Sequence, residues 1–282
     1  MRVKWDQTPL RKHERSKSVL QDAFVRLHRF MYEIGYLPLA EWGLGRGSRG
    51  LLNHDTSVVA RLGLRRFFDN FTRLVPENAR CITWDSTHYL EPVRRCTDRW
   101  AFHYRAGVAP ALVDGARKSI RGDLPKLAAS SDALGEVSGS FDLIICNQVF
   151  EHVSDPWASA RALFGWLKPG GLLLWTAPFM ERYHKVPNDY FRYTLEGALA
   201  IFERAGFQQV AARKLGDSLI TSGYAMGFGI SDFEPPYLQA HLMSEFTAST
   251  ASNSKENLYM ETALAMRRPS REENRESRQE SL

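Results

Sequence analysis

Two short stretches hold the side chains best suited to moving protons. The first, "NQVFEH" (Asn147 to His152), sets a carboxylate beside an imidazole directly after an apolar run. The second, "HKVPNDYFRYT" (His184 to Thr194), brings a histidine, an aspartate and an arginine into one short segment. Imidazoles and carboxylates accept and return protons near neutral pH. That chemistry suits removal of a proton from an oxygen nucleophile. His184 and Asp189 are the candidate bases, with His152 a third, while Glu151 reads as an orienting group. A structural alternative stands beside each. Asp189 can pair with Arg192 to pin the loop, and His152 can be a helix-start residue bonded to backbone.

These stretches need elements that hold them at one place. The apolar run Phe141 to Cys146 ends in the polar pair Asn147 and Gln148. A helix is expected in "SDPWASARALFGWLK", with Ser154 as N-cap and Pro156 in its first turn. Gly170 and Gly171 terminate it, and the chain returns as the apolar run Gly171–Ala177. Other short apolar runs stand at Cys81–Trp84, Trp100–Tyr104 and Gln209–Ala212, and Met260–Pro269 reads as one further strand. "TLEGALAIFERAGF" predicts a helix with Thr194 as N-cap and Gly206 as C-cap. Such alternation predicts an α/β fold, a parallel sheet covered by helices on both faces. Ligands of such sheets sit beyond the carboxyl ends of the strands. Asn147, Gln148, Glu151 and His152 lie at one such end, and Ala177 to Phe179 at the next.

Upstream, residues 18–34 place Val19, Leu20, Phe24, Leu27, Phe30 and Met31 at helical spacing. A glycine-rich joint follows at 43–50, then a second helix from Ser57 to Val75. The net charge is +5, and residues 1–30 carry eight basic against three acidic side chains, the whole surplus. The remaining body is neutral and has no basic stripe, which argues against a nucleic-acid partner. No apolar run is long enough to span a bilayer, and the first residues lack the apolar core of a signal peptide. Cys81, Cys96 and Cys146 are odd in number and widely spaced. They read as buried or free thiols, neither a disulfide framework nor a zinc site, so a cytoplasmic location and no metal are expected. From Ser270 onward only the final Leu282 is apolar, and disorder is expected there.

The run "FDLIICNQVFEHV" with the later "LKPGG" resembles the class I S-adenosylmethionine-dependent methyltransferases of the small-molecule type. The similarity covers roughly Asn78 to Pro269. "HKVPNDYFRYT" is similar to a subgroup with a His-x-x-Pro-x-Asp-Tyr-Phe-Arg-Tyr-Thr signature. The resemblance implies a Rossmann-like three-layer sandwich whose seven-stranded, mostly parallel sheet has an antiparallel last strand. Helices at the N-terminus would be an addition to it. It divides the chain into a basic helical extension over 1–54, a methyltransferase-like domain over 55–269 and a tail over 270–282. It implies S-adenosylmethionine as cofactor and a small-molecule or glycan acceptor, methylated at oxygen. Asp123 and Leu124 of "RGDL" match the loop that meets adenine, and Asn147 and Gln148 match the stretch near the methionine end. Phe179, Tyr190 and Arg192 would line the acceptor side. The alternative is a catalytically silent domain of the same fold that serves as a binding module.

Two positions depart from that family. The glycine-rich turn after the first strand is replaced by Thr83-Trp84-Asp85-Ser86-Thr87, and no glycine occurs between Gly63 and Gly107. Glycine there permits positive φ and close backbone approach. The cofactor has no pyrophosphate, so Asp85 could face its ammonium while Ser86 and Thr87 donate to its carboxylate. Trp84 is the tryptophan placed to contact it, while the others read as core. At the ribose position no acid is evident. The second strand offers His103 and Tyr104 instead, with Asp114 the other candidate.

Overall fold

The computed structural model describes residues 57–84, 87–108, 111–113, 118–127, 138–185, 187–225, 233–245 and 258–270, with Arg26, Ile230, Glu272 and Glu273. The rest of the expected helix at 18–34, the joint at 43–50, and the residues Asp85, Ser86 and Asp114 lie outside them. The chain divides into units at Met1–Asn53 and His54–Leu282, and every element below belongs to the second.

That unit is built on one nine-stranded sheet. Its strands are β1 (Ala79–Trp84), β2 (Cys96–Tyr104), β3 (Ala111–Val113), β4 (Ser119–Gly122), β5 (Phe141–Asn147), β6 (Leu167–Pro178), β7 (Gln208–Leu215), β8 (Met243–Glu245) and β9 (Glu261–Arg267). They lie in the order β3-β4-β2-β1-β5-β6-β9-β7-β8. The pairs β1–β2, β1–β5, β2–β4 and β5–β6 are parallel, and β9 runs antiparallel to both neighbours, β6 and β7. Without the three-residue edge strands β3 and β8, a Rossmann-like seven-stranded sheet remains, with its last strand reversed as expected.

Helices cover both faces. They are α1 (Ser57–Thr72), the single turn α2 (Leu124–Leu127), α3 (Pro156–Trp166), α4 (Leu195–Arg204), α5 (Ser218–Ala225) and α6 (Pro235–His241). Strand side chains alternate between faces. Ile144 and Cys146 of β5, with Leu173 and Trp175 of β6, pack with Leu163 and Trp166 of α3 and Ile201 and Phe202 of α4. Their neighbours Leu143, Ile145, Leu172 and Leu174 pack the other way, onto Phe67, Phe68 and Phe71 of α1. Strands buried on both faces read as unbroken apolar runs, which is why β5 and β6 were plain in the sequence.

The helix ends show which side chains set them. Asp155, not Ser154, caps α3: its Oδ1 accepts from Ala158 N at 2.9 Å. Thr194 caps α4 as expected, accepting from Gly197 N at 3.1 Å. Gly206 follows the C-cap Ala205 at φ +100°, where an added Cβ would meet the Phe164 ring at 3.2 Å. Strand β4 and helices α5 and α6 were not foreseen, because four-residue "SIRG" and short mixed stretches carry no usable period. At the start of the expected tail, Ser270 and Glu273 bond each other's backbone N–H groups at 2.7 and 3.2 Å.

The cysteines correct the sequence reading. Cys81 of β1 and Cys96 of β2 form a disulfide, with Cα atoms 5.7 Å apart, and Cys146 alone is a free, buried thiol. The bond joins adjacent parallel strands below the first turn, and it removes the argument for a reducing compartment. No helix among the described residues is long and apolar enough to cross a membrane. The bridge closes a sequence separation of 15 residues. Removing it should cost about 3 kcal/mol through the unfolded chain's regained freedom. Urea denaturation with and without reductant tests this: equal midpoints would show that the bridge contributes nothing.

Candidate active site

The functional residues gather where the strands end. Between β1 and β5 the sheet changes its direction of winding, since β2 and β4 lie on one side of β1 and β5 and β6 on the other. Loops leaving the carboxyl ends of these strands diverge and leave a crevice. Asp142 marks the opposite rim. It binds Lys168 at 2.7 Å and accepts from Arg80 N at 2.8 Å, so it anchors strands and takes no part in the site.

At the end of β5 the backbone turns sharply. Gln148 has φ +53°, a left-handed conformation that costs a non-glycine residue about 1 kcal/mol or more. The network around it holds that turn. Gln148 N donates to Thr176 O at 3.0 Å, and its Nε2 donates to Glu261 Oε2 at 2.8 Å. Thr176 Oγ1 donates to Asn147 Oδ1 at 2.7 Å. Glu261 is buried, and burial pushes its carboxyl well above the usual range. The sequence reading missed it; the signal was a charged residue opening an otherwise apolar strand.

A single turn of 3-10 helix, Phe150–His152, then carries Glu151 and His152. Glu151 is fully buried, and neither carboxylate oxygen has a hydrogen-bond partner. Burial pushes its carboxyl up to about 8, opposed by the pull of Arg192. His152 Nδ1 lies 2.5 Å from Asn188 O. A carbonyl only accepts, so Nδ1 carries the hydrogen and Nε2 keeps its lone pair. That Nε2 stands 3.6 Å from Glu151 Oε1. Burial is the first cause holding the imidazole below its usual range, and the neighbouring His184 adds to it.

The segment after β6 is clasped onto this turn. Tyr190 N donates to Glu151 O at 2.7 Å, while Asn188 O receives His152. Arg192 locks the segment internally. Its NH1 and NH2 donate to Asp189 at 2.5 and 2.8 Å, and its remaining bonds go to the carbonyls of Glu181, Arg182 and Phe191. Asp189 Oδ2 also accepts from His184 N at 2.8 Å. The Arg192 fork holds the Asp189 carboxyl down to about 2. Asp189, expected as a base, is therefore the pin of the loop: both oxygens are engaged and its proton affinity is low. Arg192 is likewise held by the loop, not aimed at an acceptor. The fold places His184 against His152, rings edge-on with centroids 4.9 Å apart. His184 Nδ1 lies 3.0 Å from Arg182 O, which again leaves Nε2 as the lone-pair nitrogen.

Aromatic groups flank the cluster. Tyr190 is half exposed, and Phe179 stacks on Tyr259 at 4.3 Å. Tyr104 OH donates to His152 O at 3.1 Å. Burial chiefly raises its phenol, with the charge of Asp123 adding to that, so Tyr104 stands between the histidines and Asp123. Tyr224, another residue the sequence did not reveal, bonds Glu181 through its hydroxyl.

On the expected cofactor side, Asp123 follows β4. Its Oδ2 accepts from Gly107 N at 2.8 Å, while Oδ1 is buried with no partner. Trp84, at the end of β1, is buried against Phe102, and its Nε1 donor also lacks a partner. An orphaned acceptor after β4 and an orphaned donor at the end of β1, with β2 between the two strands, fit a polar ligand such as an adenosyl group. Leu124 does not fit the part expected of it: it is wholly buried in the core and has no open face for an adenine ring. Thr87 opens a 3-10 turn, Thr87–Leu90, directly after the first turn.

Residues 92–175 match the family model of a methyltransferase domain. The chain is 41% identical over 88 residues to "Ubiquinone biosynthesis O-methyltransferase" of Xanthomonas campestris pv. campestris, covering 29% of this chain and 34% of the relative. The protein of that name from Xanthomonas axonopodis pv. citri is 39% identical over the same length. The aligned part of the chain spans about a third of the length of these curated relatives. Among solved structures, an S-adenosylmethionine-dependent methyltransferase from Mesorhizobium loti shares 15% identity, with 71% of this chain and 96% of that chain covered, at a TM-score of 0.42. One from Archaeoglobus fulgidus shares 12% identity, with 76% and 94% covered, at 0.43.

The clasp yields a prediction. Asp189 is almost fully buried, at 2% side-chain exposure. Asp189→Asn should cost about 3 kcal/mol, because it strands the Arg192 charge. Hydrogen exchange across 182–192 should quicken with it. A loss below about 0.5 kcal/mol in urea denaturation would class the pair with ordinary surface bridges.

Proposed function

We propose that this chain transfers the methyl group of S-adenosylmethionine to an oxygen of a small-molecule or glycan acceptor. The observation that carries the reading is one convergence. A partnerless Asp123 oxygen and the His152–His184 pair stand beyond the carboxyl ends of β4, β5 and β6 in one sheet, and residues 92–175, which include Asp123 and His152, match a methyltransferase domain. The relatives' printed name, an O-methyltransferase, supports oxygen as the accepting atom.

The residues divide the work. Asp123 Oδ1 accepts from the adenine amino group, and Trp84 and Tyr104 border the same side. Asn147 and Gln148 shape the floor, and Asp85, Ser86 and Thr87 are assigned to the methionine end of the cofactor. Bound S-adenosylmethionine supplies an electrophilic methyl on its sulfonium. The chain must align the acceptor oxygen with that methyl, exclude water and remove the hydroxyl proton. Phe179 and Tyr190 flank the entering acceptor. The Arg192–Asp189 clasp holds the lid segment shut over the cluster, and Glu151, His152 and His184 manage the proton.

Calorimetric titration with S-adenosylhomocysteine tests the cofactor half. Micromolar binding is expected, and Asp123→Ala should weaken it about tenfold, the worth of one buried hydrogen bond. No heat at millimolar ligand would leave only the silent binding module. The second prediction needs a turned-over acceptor. His152→Ala and His184→Ala should each lower kcat by about 100-fold or more, in the range of lost acid–base assistance. Unchanged turnover in both would remove the cluster from the chemistry.

A further inference from the structure

Glu151, His152 and His184 form a set that proton transfer alone does not explain. A carboxyl group at zero exposure whose oxygens meet no hydrogen-bond donor is a costly arrangement. The cation whose charge reaches it, Arg192, is committed to Asp189 and to three backbone carbonyls. Beside it stand two imidazoles with the same arrangement. Each directs Nδ1 to a backbone carbonyl, Asn188 O for His152 and Arg182 O for His184, and so presents Nε2 as a lone pair. Histidines that ligate metals are fixed in this way, the far ring N–H held by a carbonyl or carboxylate.

We propose that Glu151, His152 and His184 bind a divalent first-row transition cation of the zinc class. The three ligand atoms lie within 4.8 Å of one another, and His152 Nε2 and Glu151 Oε1 are already 3.6 Å apart. Bonds of about 2.0–2.2 Å to a shared ion set donor atoms about 3.4 Å apart. His184 therefore has to close by up to about 1.4 Å to reach such bonds. Its side chain is 39% exposed and sits on the clasped segment, so it has room to do so. Two nitrogens and one carboxylate oxygen select zinc, iron or cobalt over magnesium or calcium, which take oxygen ligands. Three protein ligands also leave a coordination position open.

The role of the cation rests on the methyl-transfer reading, but its binding does not. In that role the ion takes the acceptor hydroxyl oxygen in its open position and lowers the pKa of that hydroxyl, so the O–H bond breaks with its proton passing to water. The oxygen then forms its bond to the methyl carbon as the sulfur–carbon bond breaks, and the sulfonium becomes a neutral thioether. With the cation bound, the imidazoles act on the hydroxyl as ligands of the ion, which replaces the direct proton transfer assigned to them above, and their loss is felt as loss of the cation.

The full chain, stripped with chelator and dialysed, should bind one Zn2+ per molecule by calorimetry. Co2+ in its place should give visible ligand-field bands. Glu151→Gln, nearly isosteric, and His184→Ala, on a partly exposed loop, should each weaken Zn2+ binding at least 10-fold. S-adenosylhomocysteine titrated into the same samples reports separately on the methyltransferase reading and should be unaffected by either change. Failure to bind Zn2+ below millimolar concentration, or binding that both variants leave intact, overturns the proposal whatever the cofactor titration shows.

Discussion

The site depends on the reversal of winding between β1 and β5. From β1 the chain steps outward through β2 to β4, then returns across β1 to lay down β5 and β6 on the far side. Both neighbours at this seam are parallel, with Ile82 beside Ile144 and Thr83 beside Ile145. Their loops leave the same edge and part in opposite directions. A cleft at that edge is thus a consequence of strand order, before any side chain is considered. The apolar residues that make β5 and β6 a buried centre stop at Asn147 and Pro178, and polar residues take over at the cleft.

What turns the cleft into a defined constellation is the segment that folds back from β6. Its aromatic side chains hold part of it: Tyr193 is buried in the core, Phe191 packs against that core and Phe179 stacks on Tyr259. Hydrogen bonds hold the rest: Asn188 O accepts from the His152 imidazole, and Tyr190 N donates to Glu151 O. Arg192 provides the internal brace, its planar fork matching Asp189 on one side and the carbonyls of Glu181 and Arg182 on the other. Lysine could supply the charge but not the fixed fork. The residue that looked like a base, Asp189, is thus what keeps the imidazoles facing one another.

The sequence made the centre of this architecture legible and its margins opaque, for one physical reason. Strands β5 and β6 and helices α3 and α4 are long enough to show a period and are bounded by caps, so they were readable. Their boundaries shifted by one to four residues: Asp155 caps α3 in place of Ser154, and α3 ends at Trp166 with β6 starting at Leu167, so Gly170 and Gly171 lie within the strand and do not terminate the helix. Edge strands β3 and β8 are three residues long, and nothing in so short a run distinguishes them from loop. The candidate site was half legible. Residue types marked His152, His184 and Asp189, but which one is engaged and which open is decided by the folded-back segment. Leu124 read as a ligand contact and is core, because its loop turns the side chain inward. Glu261 and Tyr224 come from remote positions and are brought in only by the tertiary fold. Cys81 and Cys96 looked too far apart to pair, yet register sets Cys96 opposite Ala79, two residues from Cys81.

Several unfavourable features of the described residues meet at the cleft, although others, such as the left-handed Asn78 and Lys118 and the unmet Thr221 hydroxyl, lie elsewhere. Gln148 in a left-handed conformation, the partnerless oxygens of Glu151 and Asp123, and the unmet indole donor of Trp84 all occur at or just beyond the carboxyl ends of β1, β4 and β5. Each is worth on the order of 1 kcal/mol or more against folding. The amino edge, by contrast, has its charges matched: Asp142 with Lys168, and Asp98 with Arg80 and Lys118. Buried polar groups left unmet where a cleft opens are a reason to look for something the cleft holds. Those at the cleft fall into two sets. Asp123 and Trp84 offer one acceptor and one donor, suited to an uncharged polar ring. Glu151 with the Nε2 atoms of two oriented imidazoles is the set proposed above to hold a cation. Tyr104 stands beside both sets, its hydroxyl on the His152 carbonyl and its phenol raised chiefly by burial, with the charge of Asp123 adding to that.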